Sequence, residues 1–348
     1  METDLSKRWK GVLTRRYDSM GIELVDEMVG NLEHVYAQYM SSGCADPQFE
    51  KELNSSKNDT HVQRLGEMLL FERLNHAGFV TTSEEKGPDF RAEKDGEVVW
   101  LELITPTSGE DERIPELFDS HIPLHPSWEN DLELRKRLLL RIIHAIDTKK
   151  DTYKKYVADK IIGEHDSCVI VINDALLCPD LPFFGVSHGA DFGEGGRSLI
   201  EHATLGIGRV IWMPNDSQTK YHQVQTFRKT VSTMNSKKLA TDQNLKPVNI
   251  FKRVLPQSSI KNISGIMQIT LREDYGFLMK LRKMVETTKP EIITTLYPGS
   301  IVSNENATNP LSFALQKHLM RIAYLPPMTP AEWAEVLSKD FRRMCGME

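Results

Sequence analysis

Gly87-Pro88-Asp89-Phe90 is followed, after a short polar turn, by Trp100-Leu101-Glu102-Leu103-Ile104. Between them stands Asp95-Gly96, the strongest kind of two-residue hairpin signal, because both positions tolerate positive φ. With those two residues at the tip, Lys94 faces Glu97 and Glu93 faces Val98, and the same register sets Asp89 opposite Glu102. Opposed residues on neighbouring strands point to one face, with Cβ atoms roughly 5 Å apart. Two carboxylates at that spacing repel unless something positive sits between them, and a divalent metal is the usual answer.

The hairpin has readable neighbours. Residues 62–76 (VQRLGEMLLFERLNH) carry Val62, Leu65, Leu69 and Leu70 at helical spacing and lead to Gly78, so they read as an amphipathic helix with a glycine stop. Glu67 lies inside it, a candidate third acid. Residues 79–82 read as a first strand, and a long helix is expected over about residues 131–159. The run Cys168-Val169-Ile170-Val171-Ile172-Asn173 is almost wholly apolar and β-branched, as suits a strand buried on both faces. The coarse order is helix, three strands, helix, strand.

That order, with a helix glutamate, an aspartate in GPDF and a glutamate beyond the turn, resembles the PD-(D/E)xK nuclease superfamily, which includes the restriction endonucleases. The resemblance covers roughly residues 62–173. It implies an α/β fold with a restriction-endonuclease-like core around a mixed central sheet. It further implies that Asp89 and Glu102 hold Mg²⁺ or Mn²⁺, with Glu67 supporting the site. One position departs from the pattern. The family's lysine lies two residues after the second acid, and here that residue is Ile104, which can neither orient a water nor stabilise developing negative charge. The following helix offers a replacement, since Arg141, Ala145, Lys149 and Tyr153 recur every four residues on one face. Lys149 is the candidate, as in family members where a helix residue takes over this role. Lys150 points about 100° away around the helix, and Lys86 is another possible donor.

The 348 residues carry a net charge of −6, with 40% hydrophobic and 26% charged residues, which are ordinary globular values. No run of about 18 apolar residues predicts a membrane span, and METDLSKRWKG lacks a signal-peptide core. Four scattered cysteines without a C-x-x-C pair suit reduced thiols in the cytoplasm. Charge is uneven along the chain. Residues 135–160 hold nine Lys/Arg against three Asp, and residues 225–262 hold eight against one. Positive surface beside a carboxylate site would hold phosphates, through Arg141 and Tyr153 on the helix and Lys237, Lys238, Lys252 and Arg253 in the second stretch. The alternative for the first stretch is a solvated helix face with local ion pairs; for the second, a plain surface insertion.

The expected organisation is a helical N-terminal arm over residues 1–57, a nuclease core over 58–175, and a C-terminal extension over 176–348 that continues the same α/β domain. Residues 21–39 read as an amphipathic helix, a reasonable dimer-interface element. The polar residues 54–60 read as a loop between arm and core. Further strands are expected at 209–213, 264–269 and 292–297. Lesser motifs carry little weight. Gly193-Glu194-Gly195-Gly196-Arg197 lacks the G-x-G-x-x-G order, His121 and His125 flank helix-breaking Pro123, and His188 has no nucleophile motif nearby.

The expectation is therefore a Mg²⁺-dependent endonuclease acting on DNA, in restriction, phage defence or mobile-element processing. Asp89, Glu102, Glu67 and Lys149 would form its site, and a homodimer or a partner protein are further expectations. The rival is a catalytically inactive module on the same fold that binds nucleic acid or protein, for which Ile104 speaks. An RNA nuclease ranks third, since no aromatic stacking platform is evident.

Overall fold

Asp95 and Gly96 both adopt positive φ, 53° and 81°, which matches a tight hairpin turn to the right-handed twist of the strands it joins. The computed structural model describes residues 3–16, 22–109, 132–177, 199–205, 207–214, 221–227, 231–232, 247–248, 261–274 and 301–323. In chain order, α1 (Asp4–Arg16), α2 (Ile22–Ser41), α3 (Phe49–Leu53) and α4 (Asn58–His76) precede β1 (Val80–Thr82), β2 (Phe90–Lys94) and β3 (Glu97–Ile104). Helix α5 (Leu132–Ala158) then leads to β4 (Ser167–Asn173) and α6 (Leu199–Leu205). After β5 (Ile207–Pro214), β6 (Tyr221–Phe227), β7 (Val231–Ser232) and β8 (Pro247–Val248) come β9 (Gly265–Ile269), β10 (Ile301–Ser303) and α7 (Phe313–Ala323).

The protein is α/β, and the described residues build a mixed six-stranded sheet of order β1-β2-β3-β4-β9-β10. Strands β1, β2 and β3 pair antiparallel, β3, β4 and β9 run parallel, and β10 returns antiparallel. The β2–β3 register pairs Lys94 with Glu97 and Phe90 with Leu101, the register read from the turn, so Asp89 arrives opposite Glu102. Every residue of β4 and β9 is buried, which explains their unbroken apolar runs. The expected strand at 264–269 thus joins the central sheet, whereas 209–213 falls in a separate two-stranded ribbon, β5–β6. The expected strand at 292–297 lies outside the described residues, as do the glycine cluster at 193–197 and His121, His125 and His188.

Alternation along β3 sends its side chains to two different cores. Val99, Leu101 and Leu103 pack with α4, while Trp100 joins the α5 side, with Val98 and Ile104 at its margin. Glu102 therefore faces α5. Helix α4 ends where the sequence places its stop: Gly78 has φ 82°, and Phe79 N–H closes back onto the Leu74 carbonyl at 3.0 Å.

Two expectations are corrected here. The polar stretch 54–60 is only in part a loop, because α4 begins at Asn58. The arm it was to set apart shares one hydrophobic core with the sheet: Trp9, Leu13, Met28 and Leu32 cluster with Leu69, Phe90 and Leu101. The apolar stripe of α2 (Val25, Met28, Val29, Leu32, Val35, Tyr39) is buried inside the chain. It is thereby spent on intrachain packing and offers no dimer face.

Candidate active site

Four elements bring the expected residues together. Asp89 stands just before β2, and its Oδ2 accepts a hydrogen bond from the Leu103 amide at 2.6 Å. That bond ties the aspartate to the strand carrying Glu102. Lys149 extends from α5 to Glu102, Nζ to Oε1 at 2.7 Å, with side chains only 18% and 6% exposed. A positive charge thus reaches Glu102 from the helix packed against the same sheet face, while Ile104 carries none. Lys150 instead pairs with Asp147 at 2.7 Å, and Lys86 is exposed.

Glu67 comes from the other side, on α4. The helix sits unusually close to the sheet because residue 66 is glycine: a Cβ there would lie 2.8 Å from Asn173 Nδ2 and 3.1 Å from Leu103 Cδ2. Gly66→Ala should therefore push α4 outward and cost about 1–3 kcal/mol, read as a lower denaturation midpoint. An unchanged midpoint would show that the neighbours yield freely. Both oxygens of Glu67 are occupied. Gln63 donates to Oε1 at 3.1 Å and Arg64 to Oε2 at 2.7 Å. Gln63 also accepts from the Thr105 amide at 2.9 Å, fixing α4 to the end of β3. Arg64 is shared with Asp46 at 2.7 Å and Glu52 at 2.6 Å.

Electrostatics follow from this crowding. Burial, then the charge of Asp89, pushes both Glu67 and Glu102 up to about 7, against the opposing pull of Arg64 and Lys149 respectively. Burial likewise raises Asp89, against Lys149 and the Leu103 amide. For Lys149, burial disfavours the ammonium, but Glu102 and Asp89 outweigh it and hold its pKa above the ordinary lysine value. Glu102 Oε2 is buried and has no well-formed hydrogen bond, though the Asp89 amide and the Tyr156 hydroxyl lie beside the carboxylate. Such an atom is costly to leave unpartnered, and beside Asp89 it suits a cation. Among the described residues no group of three or more His, Cys, Asp or Glu side chains is arranged to enclose a metal ion. The part of the cluster open to one is the Asp89–Glu102 pair.

Other expected contacts fall elsewhere. Tyr153 is fully buried, and its hydroxyl donates to the carbonyls of Trp100 at 3.0 Å and Val169 at 2.9 Å. It staples α5 to β3 and β4 and is not a surface phosphate contact, a correction to its expected role. Arg141 is also buried, its Nε donating to the Thr107 carbonyl at 2.7 Å, so it holds the chain leaving β3 rather than reaching outward. The basic face of α5 is partly neutralised by Lys150–Asp147 and Lys154–Asp151 pairs. Lys237, Lys238, Lys252 and Arg253 lie outside the described residues.

Three site residues escape a reading of the sequence alone. Arg64 and Gln63 precede Glu67 by three and four positions, the spacing at which helix neighbours meet, and that was their signal. Tyr156, seven residues beyond Lys149, has its phenol pushed up by burial and then by the charges of Glu102 and Asp89 beside it. Its ring packs edge-on against Tyr153, with centroids 6.0 Å apart at 89°.

Comparison of the chain with protein-family models, with curated proteins and with solved structures finds no match.

Proposed function

We propose that this protein is a metal-dependent nuclease of the PD-(D/E)xK kind that hydrolyses DNA phosphodiester bonds. The observation that carries the reading is the Lys149–Glu102 ion pair beside Asp89. It combines the two acids and one cation of that chemistry on a single sheet face, with the cation borne by a helix. The order α4, β1–β3, α5, β4 agrees with the restriction-endonuclease-like arrangement. A role in restriction, phage defence or mobile-element processing belongs to the same proposal.

Asp89 and Glu102 would hold Mg²⁺ or Mn²⁺, which when bound acidifies a coordinated water and shields charge on the phosphoryl group. Lys149 keeps a proton at Nζ near the reacting phosphate, where it orients the attacking water or offsets developing negative charge. Glu67 adds negative potential at the same place and would support a metal-bound water. Ile104 supports the rival reading, a nuclease-fold module that binds nucleic acid or protein without cutting. Lys149 weighs against that rival, since a buried lysine on a buried glutamate is costly to keep and here it also feels the second acid, Asp89.

Purified protein with supercoiled plasmid and Mn²⁺ tests the reading. Nicked or linear product should form with wild type and vanish with Asp89→Ala. Product from the Asp89→Ala protein would sink the assignment. Retained DNA binding without Mn²⁺ binding or cleavage would favour the inactive module.

A further inference from the structure

Every cation already present in the acidic cluster has a definite address. Lys149 takes Glu102 Oε1 at 2.7 Å, and Arg64 takes Glu67 Oε2 at 2.7 Å. Gln63 takes the other Glu67 oxygen at 3.1 Å, and the Leu103 amide takes Asp89 Oδ2 at 2.6 Å. What is left without a hydrogen-bond partner is the buried Glu102 Oε2, beside Asp89. It belongs to the hairpin side. On the α4 side, both Glu67 oxygens are engaged.

Arg64 is also more firmly held than a surface ion pair. Its guanidinium meets Asp46 at 2.7 Å, Glu52 at 2.6 Å and Glu67 at 2.7 Å, with its own side chain 18% exposed. Asp46 follows α2 and Glu52 lies in α3, so the N-terminal arm and the acidic cluster share one positive charge. A planar guanidinium spanning several carboxylates loses less freedom per bond than isolated pairs do. Displacing it to free Glu67 for a metal would leave a buried cation and two acids to be rearranged.

We infer that Arg64 is a built-in substitute for a second metal ion, so that the site takes a single divalent cation between Asp89 and Glu102 while Glu67 stays outside its coordination shell. This rests on the nuclease reading and deepens it, because it sets the metal count and gives the N-terminal arm a positioning role. Arg64 touches neither metal nor phosphate and acts through Glu67. Its removal would leave Asp46, Glu52 and Glu67 with no cation between them; they do not enclose a metal ion as they stand, and drawing together on a divalent ion would relieve their mutual repulsion.

The test is calorimetric titration of the full chain with Mn²⁺ alone, with Mn²⁺ electron paramagnetic resonance to detect spin–spin broadening from ions close together. Wild type should bind one Mn²⁺ per chain without broadening. Arg64→Gln should bind two, with broadening, and Arg64→Lys should return to one. Two ions in wild type, or one ion in a folded Arg64→Gln protein, would overturn the inference and leave the nuclease reading standing. No Mn²⁺ bound by wild type would remove that reading and the inference together. Should Arg64→Gln fail to fold, the wild-type count decides alone: one ion sustains the inference and two overturn it.

Discussion

Lys149→Met is expected to lower plasmid cleavage by about 10³-fold, the scale seen when one preorganised charge-stabilising donor is removed from an active site. The physical basis is the position of Nζ, 2.7 Å from Glu102 Oε1 in a site that is largely buried. There, charge interactions are screened far less than in water. The variant also strands a buried carboxylate. Without its partner, Glu102 shifts further up, so Mn²⁺ binds more weakly at a given pH. Cleavage must therefore be compared at saturating Mn²⁺, which separates weaker binding from slower chemistry. Lys149→Arg should recover part of the rate, since it keeps the charge but not the compact ammonium. Wild-type cleavage rates from Lys149→Met at saturating metal would sink the helix-lysine assignment while leaving the acids in place.

The second large effect is on stability. Divalent metal should stabilise the fold at about pH 8 far more than at about pH 5.5, by about 2.7 kcal/mol when present at 100 times its Kd. The sign follows from proton linkage. Folded Glu67 and Glu102 lie at about 7, above the ordinary 4.5, and buried Asp174, also pushed up to about 7, behaves alike. The folded protein thus holds extra protons between those values. The favourable contribution is complete below the ordinary carboxyl pKa and is lost as pH rises through about 7. Above that, the ionised pair is a burden without metal and a ligand set with it. His61, buried and pushed below 6.5 chiefly by burial, slopes the other way, since its contribution is lost as pH falls below the unfolded value. Glu102→Gln separates the two. It should reduce the first slope, to which Glu67 and Asp174 still contribute, abolish the metal response and leave the His61 slope unchanged. Melting curves at both pH values, with and without Mn²⁺, read all of this. An equal metal-induced rise at the two pH values would contradict the shared titration of the acids.

What the chain discloses before folding is mostly what is encoded locally. The Asp95-Gly96 turn fixes the pairing of a dozen residues and so places Asp89 across from Glu102 without any long-range information. Helical spacing likewise puts Lys149 and Tyr153 on one stripe of α5. It does not say how deep each lies. The stripe plunges into the core at Tyr153 and rises toward the acids at Lys149, and only packing against Trp100 and Val169 decides that. The Arg64–Glu67 pair was open to the i,i+3 rule, but its links to Asp46 and Glu52 depend on how the arm folds back. The short polar stretch before α4 suggests a detachable arm, whereas Trp9 and Met28 belong to one core with Phe90 and Leu101, far along the chain.

The placement of the lysine on a helix has a mechanical consequence. A lysine on β3 would share a rigid pleat with Glu102, and the two could only move as one. Here acid and base sit on separate bodies, bolted together by the Tyr153 hydroxyl one helical turn away. The gap between charge and carboxylate becomes an adjustable joint. Inserting one residue between Lys149 and Tyr153 would swing the ammonium about 100° off target while the bolt held.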